Sequence, residues 1–147
     1  MKRLGIILMC VATLTLASCS LLQSGAGANA IAQTTGQTCG SALLGLYNSY
    51  KSTGTISLSD PANLGYALSL ATAYTQIKQN KDDKAYRKAF GNGLVMAGAG
   101  LITKNNSNAI IDALLAANGL ANVSSTSSTS QKTEAVGSIM PMVQLLN

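Results

Sequence analysis

Three cysteines, five carboxylates and no histidine are the raw material for chemistry in this chain of 147 residues, and they assemble poorly into a reaction centre. No imidazole is present to exchange protons near neutral pH or to raise the thiolate fraction of a cysteine. The acids Asp60, Asp82, Asp83, Asp112 and Glu134 are scattered. Asp82 and Asp83 are neighbours, so on a helix they diverge by about 100° and cannot chelate together. Asp60 and Asp82 each read better as helix caps. Gly91-Asn92-Gly93 and Gly98-Ala99-Gly100 resemble fragments of phosphate-binding loops, yet neither follows a strand. The residue types therefore predict no enzyme, no metal site and no cofactor.

Basic residues form the one cluster worth a functional reading. Lys78, Lys81, Lys84, Arg87 and Lys88 lie close together, and the spacing from 81 to 84 to 88 suits one helical face. Such a group could draw in anionic lipid headgroups, at about 1 kcal/mol per cation near a charged surface. A solvated helix junction, partly neutralised by Asp82 and Asp83, is the plainer alternative.

The cysteines differ in context. Lys2 and Arg3 precede an apolar run from Leu4 to Leu16, which ends in Leu16-Ala17-Ser18-Cys19. A cationic start, an apolar middle and a small-residue end make the layout of a secretory signal. At about 13 residues the run is short against the roughly 20 a spanning helix needs, so removal is expected. The last four residues resemble the lipobox of bacterial lipoproteins. The resemblance implies a diacylglycerol on the Cys19 sulfur, cleavage between Ser18 and Cys19, and acylation of the new amino group. Several acyl chains anchor stably where one binds only marginally. Ser20 stands where an enterobacterial inner-membrane retention signal would place Asp, so the resemblance points to the outer membrane, facing the periplasm. No acidic cluster follows Cys19, unlike the surface-export signal of some bacterial groups.

Cys10 would leave with the signal and Cys19 would be acylated, so Cys39 has no intramolecular disulfide partner in a mature chain. It is expected as a small buried apolar residue; a thiol pairing two molecules is the alternative. Removing residues 1–18 also takes Lys2 and Arg3 from the ten basic side chains, leaving eight against five acids and a formal charge of +3. That is too mild to argue for nucleic acid. Charged residues are 10% of the chain, against about 25% in ordinary soluble domains. The surface must be largely neutral, which favours self-association or packing on a membrane or another envelope protein.

Periodicity then predicts the elements that hold these residues. Residues 19–38, rich in Gly, Ala, Ser, Gln and Thr, read as a lipidated cysteine and flexible tether, whose 19 residues from Ser20 would reach about 24 Å if flexible; the alternative is that their alanines extend the first helix backwards. Residues 39–147 read as one helical domain, giving an all-α fold of four to five helices. A first helix is expected over Ser41 to Ser52, ended by Gly54, with an extended connection through Ile56 and Leu58. Ser59-Asp60-Pro61 starts a largely buried second helix running to Gln79. A third, from Asp82 to Thr103, contains four glycines costing roughly 1 kcal/mol each, a burden that close approach by a neighbouring helix would offset. A lipid-inserted reading of Ala89 to Ile102 fails on length. Ser107 would cap a fourth helix ending at a left-handed Gly119, Ser124 to Ser130 would form a mobile loop, and Thr133 to Leu146 a helix kinked at Pro141 or broken there into two short pieces.

Taken together, the sequence predicts a non-catalytic, lipid-anchored cell-envelope protein acting as a structural or interaction module. A carrier sheltering a lipid or other small apolar ligand between helices is the second reading.

Overall fold

The computed structural model describes residues 25–147; the expected signal peptide and the Ser18 and Cys19 processing site lie outside them. The chain is all-α, with no strand among the described residues, and forms the expected small helical bundle. Its helices are α1 (Gly25–Thr53), α2 (Pro61–Gln79), α3 (Lys84–Ala97), α4 (Lys104–Leu115) and α5 (Thr129–Gln144), with a short 3₁₀ segment at Asn118–Asn122.

The largest departure from the sequence reading is α1. Residues 25–38, expected within a flexible tether, are its first half. Ala32, Cys39, Ala42, Leu43 and Leu46 are buried along one stripe of α1, and the expected helix at 41–52 is merely its visibly hydrophobic end. Small residues hide the first half from a composition test because they pack through the backbone. A Cβ on Gly36 would overlap the Phe90 carbonyl, one on Gly93 would sit 2.7 Å from the Gln37 nitrogen, and one on Gly40 would meet the Leu94 oxygen at 3.0 Å. The steps Ala32-Gly36-Gly40 and Ala89-Gly93-Ala97 thus face each other, and α1 on α3 is the most extensive helix pair. Close backbone approach of this kind gains dispersion contacts that larger side chains would prevent.

The partners of these contacts fix direction. Asn29 and Gln33 border Ala85 and Lys88, Gly36 meets Phe90, and Gly40 meets Leu94 and Ala97. Helices α1 and α3 therefore run parallel. In contrast α2 runs back along α1: Asn63 donates to the Ser49 hydroxyl at 3.0 Å, Gly45 abuts the Tyr66 ring, and Thr34 and Thr38 share a cleft with Ser69 and Thr72. The extended link between them is as expected, with Ile56 and Leu58 buried, and Gly54 ends α1 at φ +77°.

Helix ends follow local chemistry, at positions shifted from the sequence reading in four cases. Asp60 caps α2 as expected, accepting from Ala62 N at 2.9 Å. The cap of α3 is Asp83, not Asp82, accepting from Tyr86 N at 3.0 Å. That helix also stops at Ala97, earlier than expected, because Ala99 and Gly100 take positive φ values of 50° and 84°, which an α-helix cannot contain. Helix α4 begins at Lys104 after Thr103, whose N–H donates to the Asn106 side chain at 2.7 Å; Ser107 instead lies buried inside the helix. Gly119 is not left-handed but sits in the 3₁₀ segment, donating to the Ser138 hydroxyl at 3.1 Å.

The Ser/Thr run at 124–130 is likewise built into structure. Ser127 bridges Ser124 N and the Asn122 carbonyl, and Ser128 pairs reciprocally with Gln131 as a capping box at the start of α5. These hydroxyl-to-backbone bonds give the turn local partners where it has no apolar area to bury. Helix α5 begins at Thr129 and keeps Pro141 within its span to Gln144, rather than splitting into two pieces.

Candidate functional site

The turn between α2 and α3 carries the basic cluster, and the antiparallel α2 and parallel α3 together deliver it to one end of the bundle. That end also holds the start of α1, because Asn29 and Gln33 border Lys88 and Ala85 across a cleft of about 430 Å³. The five expected residues therefore share a region, but they do not share a task.

Two of the five are engaged with the protein itself. Lys78, in the last turn of α2, donates to the Tyr74 hydroxyl at 2.8 Å and lies 5.1 Å from that ring's centre. Tyr74 passes the connection on to Asn118 at 3.0 Å. A cation there also suits the negative end of the α2 dipole. Arg87 turns toward α4, meeting Asp112 at 3.0 Å, with a second contact to the Lys81 carbonyl at 3.4 Å. This is the one ion pair among the described residues, and it is too exposed to contribute much stability.

Lys81, Lys84 and Lys88 remain exposed and make no ion pair. Lys81 precedes the helix, so the three are grouped by the turn rather than by a single helical face. Among the acids nearby, Asp83 is committed as the α3 cap and Asp112 to Arg87, leaving Asp82 exposed in the turn. The outward balance is positive.

Sequence reasoning missed what α4 lays along the neighbouring flank of α3, from Asp112 at this end back to Lys104 beside Val95. Lys104 and Asn108 of α4 share a cleft of about 220 Å³ with Arg87 and Lys88, and Asp112 supplies the partner for Arg87. Only the folding of α4 against α3 brings these together. Asn29 and Gln33 could have been found from the four-residue steps of small residues on both sides of the α1 crossing.

Beneath the cluster, the Tyr86 hydroxyl is buried without a hydrogen bond of good geometry. Burial pushes its pKa upward, and the neighbouring Thr35 hydroxyl, which donates to the Ile31 carbonyl at 2.8 Å, opposes that only in part.

Elsewhere the chemistry is quieter. Cys39 is wholly buried, and burial pushes its thiol up to about 12, so it stays protonated and unreactive. No group of three metal-ligating side chains occurs among the described residues. The flank formed by α1 and α2 has no charged side chain from Asn29 to Tyr50 or from Pro61 to Ile77. Six of its hydroxyls turn inward. Thr34, Thr35, Thr38, Ser69, Thr72 and Thr75 each donate to the carbonyl four residues earlier, at 2.8 to 3.2 Å. Methyl groups and acceptor lone pairs are left to face outward.

Compared with protein-family models, curated proteins and solved structures, the chain matches none.

Proposed function

We propose that this chain is a non-catalytic lipoprotein of the bacterial cell envelope, anchored through Cys19 in the outer membrane on its periplasmic side, and acting as a structural or interaction module. The observation that carries the reading is Leu16-Ala17-Ser18-Cys19 at the close of a cationic-then-apolar segment, which resembles the lipobox. Among the described residues no helix is long and apolar enough to cross a membrane, so the acyl chains would be what holds this helical domain. Several chains suffice for that.

Support for contact rather than catalysis comes from the side chains. The thiol of Cys39 is sealed in the core, and no histidine is present anywhere in the sequence. The uncharged α1–α2 flank, with six of its hydroxyls already donating to their own helices, can meet another neutral surface without burying a charge and with few donors left to satisfy. Such a flank fits a second envelope component or another copy of the chain.

The anchor is tested by metabolic labelling of cells with an alkyne fatty acid, comparing the wild-type chain with Cys19→Ala. Label on the wild type and none on the variant is expected. Equal labelling of the two, or none on either, would remove the anchor and the location with it.

A further inference from the structure

The chain leaves α1 toward Cys19 at the same end of the bundle that presents the free lysines. We propose that this end is a membrane-docking face, on which Lys81, Lys84 and Lys88 rest against the anionic phospholipid headgroups of the leaflet that holds the acyl chains. The inference rests on the proposed Cys19 anchor.

Chain length supplies the first argument. From Cys19 to Gly25 is six residues, which span at most about 21 Å when fully extended. The long tether expected from composition is absent as a spacer, because residues 25–38 belong to α1, which lies against α3 at Asn29, Gln33, Gly36 and Gln37. An acylated Cys19 therefore holds the start of α1 close to the lipid interface.

Direction supplies the second. Because α1 and α3 run parallel and α2 returns antiparallel, the α2–α3 turn must lie beside the start of α1, and Asn29 and Gln33 do border Lys88 there. Lys51, at the other end of α1, stands 26 residues from Gly25, or about 39 Å away at 1.5 Å per residue. Lys132 lines a cleft with Ile56, Ser57 and Leu58 at that distal end. Two lysines are thus built-in controls.

Charge supplies the third. The basic side chains that the fold consumes at this end, Lys78 and Arg87, point along or across the bundle. Those left over in the α2–α3 turn and the first turns of α3 are exposed, and of the acids in that stretch only Asp82 remains uncommitted. Three cations within a Debye length of a charged leaflet add attraction that the acyl chains alone do not give.

The test reconstitutes the processed, acylated protein into vesicles of phosphatidylcholine alone or of phosphatidylcholine mixed with phosphatidylglycerol. Each lysine's reaction rate with a water-soluble acetylating reagent is then read by mass spectrometry. In the mixed vesicles Lys81, Lys84 and Lys88 are expected to react about fivefold more slowly than in the neutral ones, equivalent to about 1 kcal/mol each. Lys51 and Lys132 are expected to be unchanged, and high salt to abolish the difference. The exposed pair Lys84→Glu with Lys88→Glu should fold normally and lose the slowing at Lys81. Equal rates in both vesicles, or slowing shared by all five lysines, would overturn the docking face. Flotation with the neutral vesicles reports the anchor separately: protein that floats without lysine protection refutes only this inference, whereas protein whose intact mass shows no acyl chain and that fails to float refutes both.

Discussion

Helix α3 is gripped on two sides by different physics. Toward α1 it presents Gly93, where the neighbouring backbone leaves no room for a methyl group. Toward α4 it presents Gly91, where an added Cβ would meet the Ile111 methyl at 3.7 Å and the Ser107 hydroxyl at 3.8 Å, ordinary packing distances. Two glycines one turn-half apart, alike in the sequence, thus do opposite things. One is required by contact between backbones; the other is a helix weakness that the fold tolerates. The difference teaches that the first half of α1 is a structural partner of α3, while α4 packs by side chains that can adjust.

Breaking the first contact should have the largest effect. Gly93→Ala is expected to lose at least about 3 kcal/mol of stability, because the clash is with main chain that cannot rotate away, as read by chemical denaturation followed by circular dichroism. Loss below about 1 kcal/mol would mean that the α1–α3 crossing is looser than described.

A pH series sharpens the same comparison from the α1 side. Cys39 lies between Gly36 and Gly40 on the stripe that faces the core, and its thiol is held up to about 12 from an ordinary 9.0. A raised folded pKa keeps the native state fully favoured below pH 9, and stability falls as pH climbs toward 12 because only the unfolded thiol ionises. The wild type should therefore lose about 1.4 kcal/mol more than Cys39→Ala by pH 10. Parallel pH profiles would show that residue 39 is open to solvent and the stripe misassigned.

The smallest effect should be a gain. Gly91→Ala is expected to stabilise by about 0.5 to 1 kcal/mol, since the new methyl fits and the unfolded chain loses freedom. A marked loss there would make the α3–α4 contact as intolerant as the α1–α3 one, and the contrast would vanish.

What could be read in the sequence follows the range of the physics involved. The start of α2 was legible because Asp60 and Pro61 act on backbone groups one or two residues away. Ile56 and Leu58 were legible as an extended link, and the basic run was legible as a cluster. The α3 cap was displaced by one residue, since Asp82 and Asp83 are equally able to accept and tertiary placement of the turn chose between them. The first half of α1 escaped because Gly36 and Gly40 carry no side chain whose hydropathy could be counted; their worth exists only opposite Gly93. The Ser/Thr run was legible as a connection through Ser128, while the start of α5 at Thr129 was not, because its capping box of Ser128 and Gln131 depends on hydroxyl and amide bonds rather than on buried area.

For the basic end, the residues were present in the sequence but their division of labour was not. Arg87 and Asp112 are far apart in the chain, and only α4 folding back on α3 pairs them. Lys78 finds Tyr74 within its own helix, a four-residue step that any helix would offer. That Lys81, Lys84 and Lys88 stay outward is what remains after those two are taken.

The sequence alone determined that the chain is helical, scarce in charge, and headed by a segment resembling a lipoprotein signal, because these are properties of composition and of residues within a turn or two of one another. The tertiary structure alone decided that residues 25–38 are helical and carry Ala32 and Gly36 into the interior, that α1 and α3 run side by side in the same direction, and that the free lysines gather at the end of the bundle where α1 begins. Those facts depend on which backbone can approach which, and a glycine reveals that only when its neighbour is in place.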